Sequence, residues 1–238
     1  MFDLIAFDAD DTLWENNALY LQSRDRCKDI LAKYTLTGPF EERLDETEVG
    51  NLQYFGYGAM SFILSMIETA VEITGEQVSA ADIRAIVAIA KNMIAAEVRL
   101  YDDSEPTLRQ LARQQRLILI TKGDLLHQQS KVERSGLRSF FQAVEVVADK
   151  TPAVYAALLD KYGVAPARFL MVGDSMRSDM LPVLGLGGYA VFVPNTDTWS
   201  HEKMAPPQGY SGRFFELERL SQLPDLLAQL EQAGKIPV

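Results

Sequence analysis

A single cysteine, Cys27, occurs in the 238 residues, so no intrachain disulfide can form and no cysteine-based metal cluster can be built. Histidine is nearly as scarce. His127 and His201 are the only two, and they have neither the spacing nor the partners of a catalytic triad. Basic residues are outnumbered, 23 Lys and Arg against 33 Asp and Glu, giving a formal charge of -10 with no Lys/Arg cluster. Such an acidic surface repels phosphate backbones, so no nucleic-acid partner is expected. No uninterrupted apolar run approaches the roughly 18 residues of a membrane span. The opening residues, Met1 to Asp8, lack the basic region and long apolar stretch of a secretory leader. These absences point to a cytoplasmic protein with no membrane partner, and they leave its oligomeric state open.

What remains is ordinary globular material. Hydrophobic residues make up 47% of the chain and charged residues 24%, enough apolar surface for a substantial core. The length suits one large α/β domain, or a core with a smaller domain inserted.

The run Leu4 to Phe7 reads as a buried strand ending abruptly in Asp8-Ala9-Asp10-Asp11-Thr12. From Asn16 to about Leu100 the periodicity is helical, as in Leu19 to Tyr34, Met60 to Ile73 and Ile83 to Val98. After Pro106, strands and helices alternate. Strands are expected at Leu117–Thr121, Val144–Val147, Phe169–Val172 and, last, Tyr189–Val193. Helices are expected at Asp124–Arg134, after the Thr151-Pro152 start, at Met176–Leu184 and at Ser221–Gln232. That alternation predicts a Rossmann-like, doubly wound parallel sheet with helices on both faces. The expected organisation is an α/β core of residues 1–15 and 101–238, with an inserted α-helical domain over 16–100.

In such a sheet, ligands bind beyond the carboxyl ends of the strands. Those ends read Asp8-Ala9-Asp10-Asp11-Thr12, Thr121-Lys122-Gly123-Asp124, Asp149-Lys150-Thr151-Pro152 and Gly173-Asp174-Ser175-Met176-Arg177-Ser178-Asp179. Together they gather carboxylates, a hydroxyl, a lysine and backbone N–H groups around one point. This composition suits phosphoryl transfer through an acyl-phosphate, which needs a carboxylate nucleophile, a nearby general acid, a divalent cation and donors for the phosphoryl oxygens. Buried strands rarely end in so many carboxylates without a cation to compensate them.

The same residues resemble the haloacid dehalogenase superfamily. Its first motif, Asp-x-Asp-x-Thr after a hydrophobic strand, is matched by Phe7-Asp8-Ala9-Asp10-Asp11-Thr12-Leu13. Thr121 looks like the second motif, Lys150 with Pro152 like the third, and Gly173-Asp174 with Asp179 like the fourth. The helical stretch looks like the family's cap. The resemblance implies a magnesium-dependent phosphatase acting on a small-molecule phosphomonoester. In it Asp8 attacks phosphorus and, with Asp174 and the Asp10 carbonyl, binds Mg2+. Asp10 serves as acid and then base. Thr121, with the N–H groups of Lys122 and Gly123, holds the phosphoryl oxygens, and Lys150 neutralises them and Asp8. Asp179 is expected beside the ligands, pairing Lys150, more than on the metal itself. The presence of Asp10 favours phosphate esters over carbon–halogen bonds, since halide departure needs no proton. A phosphomutase and a non-catalytic phospholigand-binding regulator are the rival readings.

Other residues carry less. Trp14 reads as a packing aromatic at the junction with the helical stretch, and Cys27 as core. Tyr54-Phe55-Gly56-Tyr57-Gly58 is either a specificity loop or a helix–helix turn. His127 reads as a satisfied or surface residue, and His201 sits in a loop that could rim the site. The run Glu41 to Glu46 reads as a solvated helix face.

Overall fold

A computed structural model describes residues 1–195, 199–202, 204–206 and 208–234. In chain order its elements are β1 (Leu4–Phe7), α1 (Asn17–Leu31), α2 (Phe40–Phe55), α3 (Ala59–Ile73), α4 (Ala80–Ala95), α5 (Ser104–Leu111) and β2 (Leu117–Lys122). They continue with α6 (Leu125–Arg134), β3 (Ala143–Val147), α7 (Pro152–Tyr162), β4 (Phe169–Gly173), α8 (Leu181–Gly185), β5 (Tyr189–Phe192), β6 (Phe214–Glu216) and α9 (Leu223–Gln232). Among the described residues, no helix is long and apolar enough to cross a membrane.

Among the described residues, six strands form one sheet in the order β3-β2-β1-β4-β5-β6, and every neighbouring pair is parallel. The predicted parallel, doubly wound α/β architecture is therefore the observed one. Because side chains alternate along a strand, β1 divides its residues between two layers. Ile5 and Phe7 join Leu119, Val172 and the inner faces of α5 and α9, while Leu4 and Ala6 join Ile120, Met171 and the Tyr155 and Leu159 side chains of α7. Helices α1 to α4 enclose a separate core around Cys27, Leu44, Met66 and Ile86.

Two expectations need correcting. Tyr189 does not begin the last strand, since Phe214–Glu216 pairs with β5 beyond it. The helix expected over Met176–Leu184 is divided into a wide π turn, Met176–Met180, and the short α8. Pro182 explains the break, because it has no N–H to continue the ladder.

The order of the sheet reverses at β1, with β2 and β3 to one side and β4 onward to the other. A crevice opens beyond the carboxyl ends of the strands at such a reversal. Register sets what meets there. Phe7 lies opposite both Leu119 and Val172, and Lys122 opposite Val147. Asp8, Thr121, Lys150 and Asp174 thus emerge within one to three residues of aligned positions.

Candidate active site

At the end of β1 the chain turns sharply. Asp11 adopts a left-handed backbone (φ 64°), a conformation an Asp tolerates better than most residues. Its carboxylate accepts the N–H groups of Asn16 and Asn17, each at 3.0 Å, and so caps the start of α1. The turn sends Asp8 and Asp10 into different surroundings.

Asp8 is buried. The Lys150 ammonium lies against its Oδ1, and the same ammonium reaches Asp179 Oδ1 at 2.6 Å. Thr151 caps α7 through its side chain and Pro152 fills the first turn, which fixes Lys150 just ahead of that helix. Asp179 folds back so that its Oδ2 accepts the Ser175 N–H at 3.0 Å. Only glycine fits at position 173, because a Cβ there would collide with the Asp179 carboxylate.

The electrostatics are out of balance. Asp8, Asp174 and Asp179 each offer a carboxylate oxygen, and the three lie within 4.8 Å of one another. Burial pushes the Asp8 carboxyl up to about 7, against the pull of Lys150. Burial, then the charges of Asp8 and Asp179, drives Asp174 well above the ordinary carboxylate range. Lys150 itself is secured in its charged form by Asp179 and Asp8 despite burial. The Thr12 hydroxyl stands 3.2 Å from both Asp8 Oδ2 and Asp174 Oδ1, but its single proton serves only one of them. All-oxygen donors in negative excess fit a hard divalent cation. Both Asp179 oxygens are already engaged, by Lys150 and Ser175, which leaves Asp8 and Asp174 as the freer donors.

Asp10 faces the other way, toward α6. Lys131 Nζ lies 2.6 and 2.7 Å from its two oxygens, Gln128 Nε2 at 2.9 Å, and the Trp14 indole N–H at 2.6 Å. Burial opposes ionisation there, but Lys131 and these donors hold the carboxyl below its usual value. Trp14 is fully buried, as a packing aromatic would be, and also orients Asp10.

At the end of β2, Thr121 is buried and its Oγ1 accepts from Gln128 Nε2 at 2.7 Å. The Gly123 N–H, expected to face a phosphoryl oxygen, instead donates to the Val147 carbonyl at 3.3 Å. The register with β3 continues one residue past β2 and claims that donor. The Lys122 ammonium is drawn to Glu202 and Ser178, and it lies 3.9 Å from the centre of the Tyr57 ring.

A cavity of about 370 Å³ joins these groups to the helical segment. From that side come Tyr20, Arg24, Glu48, Tyr57 and Phe62. Tyr57 lies inside, whereas Tyr54 and Phe55 are exposed, so the candidate aromatic segment is divided between cavity wall and surface turn. His127 lines the cavity and burial lowers it to about 4, while His201 lies tilted beside Trp199 with ring centres 4.9 Å apart. The acidic run on α2 is not uniformly solvated. Asp45 and Glu41 turn toward Arg24, together with the buried Glu48 that follows the run. Lys131, Gln128, Glu202 and Arg24 were not anticipated from sequence. The only signal for Lys131, Gln128 and Arg24 is a polar residue type at a helical spacing, which solvated helix faces share, and Glu202 lies in the segment after β5, where no pattern marks it.

Comparison with known proteins finds relatives of the chain. The chain is 36% identical to a crystallised haloacid dehalogenase-like family hydrolase from Xanthomonas campestris, with a TM-score of 0.87, covering 98% of this chain and 94% of that one. It is 31% identical to N-acylneuraminate-9-phosphatase of Mus musculus over 93 residues, which is 37% of this chain and 38% of the relative. The Homo sapiens protein of the same name is 28% identical over 137 residues, 56% and 53% of the two chains. The chain thus spans 38 to 53% of the length of these curated relatives. The haloacid dehalogenase-like hydrolase family matches residues 2–183, most of the chain, and the protein belongs to that family.

Proposed function

We propose that the protein is a magnesium-dependent phosphohydrolase that cleaves small phosphomonoesters through an aspartyl-phosphate on Asp8. The observation that carries this reading is Lys150, which clamps Asp8 beside Asp174 in a buried cluster whose carboxylates outnumber their counter-charges. The phosphatase names of the partial relatives support the same reaction class.

Asp8, Asp174 and the Asp10 carbonyl would hold Mg2+, which when bound supplies charge neutralisation for the carboxylates and the phosphoryl oxygens. The Asp8 carboxylate oxygen attacks phosphorus, the ester P–O bond breaks, and Asp10 gives a proton to the departing alcohol. Water then attacks the acyl-phosphate, Asp10 takes its proton, and the P–O bond to Asp8 breaks to release phosphate. Asp10 as held by Lys131 is a carboxylate, the form required for the second step. To act as the acid it must carry a proton and loosen from Lys131. Thr121 and the Lys122 N–H hold the transferring oxygens, with the Gly123 N–H turned away to β3. Residues 16–100 serve as the cap that closes on this site and excludes water during the first step.

The test is phosphate release from a panel of phosphomonoesters, N-acylneuraminate 9-phosphate among them, with magnesium and with chelator. Release that requires the metal and falls by roughly 10,000-fold or more in Asp8→Asn is the expected result. A folded Asp8→Asn variant with near-normal turnover would remove the covalent mechanism.

A further inference from the structure

The helical wall of the cavity bears on what the leaving group can be. Arg24 on α1 is its one cation, and it is already engaged. Its Nη2 lies 2.6 Å from Asp45 Oδ1 and also against Glu48, and Nη1 is 3.8 Å from Glu41, all three on α2. Arg24 and Glu48 are mostly buried, with 13% and 11% of their side chains exposed, so this pairing is shielded from solvent. Whether or not Glu48 is ionised, Asp45 alone offsets the guanidinium.

The rest of the cavity repeats the pattern. Among the described residues its lining carries nine carboxylates but only four cationic side chains. Lys122 is paired with Glu202, Lys131 with Asp10, and Lys150 with Asp8 and Asp179. His127 is uncharged at neutral pH, being lowered to about 4 by burial and then by Lys131. A transferring phosphoryl group would have Lys150, and a divalent ion held by Asp8 and Asp174, to meet it. Within this described lining, a second anion on the same substrate would meet paired cations and surplus carboxylates, an arrangement that selects against it, with Arg177 outside the lining, beside His201, as the nearest further cation.

The same wall has something to offer other chemistry. Asp45 and Glu48 supply acceptor oxygens, and Tyr20, its ring held 4.8 Å from that of the buried Phe62, lines the wall together with the apolar Leu21 and Leu52. Acceptors placed next to aromatic faces suit the hydroxyls and C–H faces of a polyol or sugar. We infer that the leaving group is an uncharged, hydroxyl-bearing alcohol, so that the preferred substrates are sugar or polyol phosphates without a second anionic group. This inference rests on the phosphohydrolase reading and narrows it.

Matched esters test it. Glucitol 6-phosphate is compared with 6-phosphogluconate, and glycerol 3-phosphate with 3-phosphoglycerate, each pair differing by a carboxylate in place of a terminal CH2OH. p-Nitrophenyl phosphate tests the reaction class on its own. The expected result is a kcat/KM about tenfold or more higher for the neutral member of each pair. The Asp45→Asn, Glu48→Gln double variant, which releases Arg24, is expected to shrink that ratio to about threefold or less. Equal or better turnover of the carboxylate-bearing members overturns the inference. So does hydrolysis of p-nitrophenyl phosphate with none of either pair. Failure on every ester, p-nitrophenyl phosphate included, removes the phosphohydrolase reading and this inference with it.

Discussion

Two lysines sit in one cavity, and their situations differ. Lys150 stands at the end of β3 and joins two carboxylates, Asp8 and Asp179, inside a cluster that remains too negative even so. Lys131 stands on α6, meets both oxygens of Asp10, and shares that task with Gln128 and Trp14. One lysine neutralises a crowd, while the other is one donor among several. A lone counter-charge in a buried site is indispensable, whereas a shared one is partly replaceable. The two ends of one motif, Asp8 and Asp10, are thereby held in opposite states, the first pushed toward protonation and the second held ionised.

The sharpest way to break the comparison is to remove each lysine in turn. Lys150→Met strands buried carboxylates and is expected to cost about 3–5 kcal/mol of stability, measured by denaturant unfolding of the metal-free protein. It should also abolish phosphate release. Lys131→Met should leave Asp10 with its Gln128 and Trp14 donors and lower kcat by roughly tenfold, a fraction of what general acid–base catalysis supplies. KM should change little, and Lys131→Arg should recover part of the loss. Equal effects of the two Met variants would erase the distinction.

A smaller effect sharpens it. Magnesium at about 100 times its dissociation constant should stabilise the wild-type protein by about 2.7 kcal/mol, seen as a higher Tm. Asp174→Asn should lose most of that gain and Lys131→Met should keep it. The smallest effect is on pH dependence. The Asp8 carboxyl is raised in the folded state from its ordinary value near 3.8 to about 7, so the folded protein binds the extra proton between these limits. Metal-free stability should therefore fall as pH rises through that window. Either Asp8→Asn or added magnesium should flatten the slope, and a flat profile in the untreated wild-type protein would count against the raised carboxyl.

How much of this was legible in sequence follows from the same contrast. Asp8, Thr121, Lys150 and Asp174 come at or within three residues of the ends of apolar runs, and a parallel sheet aligns such run ends without further information. Gln128 and Lys131 lie in the first two turns of α6, on a helix whose polar residues look alike until α6 is docked against the β1 turn. Arg24 and Glu48 belong to different helices of a segment whose packing angles no local pattern encodes. The Gly123 donor was misassigned because its partner, Val147, is set by strand register. The strand Phe214–Glu216 has three residues, too few for an alternating pattern to stand out.

The strand that carries Asp8 is the first in the chain and lies in the interior of the sheet, hydrogen-bonded to residues 117–119 on one side and 169–172 on the other. Both partners are distant in sequence, so β1 waits, during synthesis or refolding, for more than a hundred residues to arrive before either edge is covered. The local helical contacts of α1 to α4 have no such delay. The chemistry-bearing end of the molecule is therefore among the last parts to become ordered, and a chain stalled before β4 would expose an apolar strand with an unpaired edge, a form prone to aggregation and incapable of turnover.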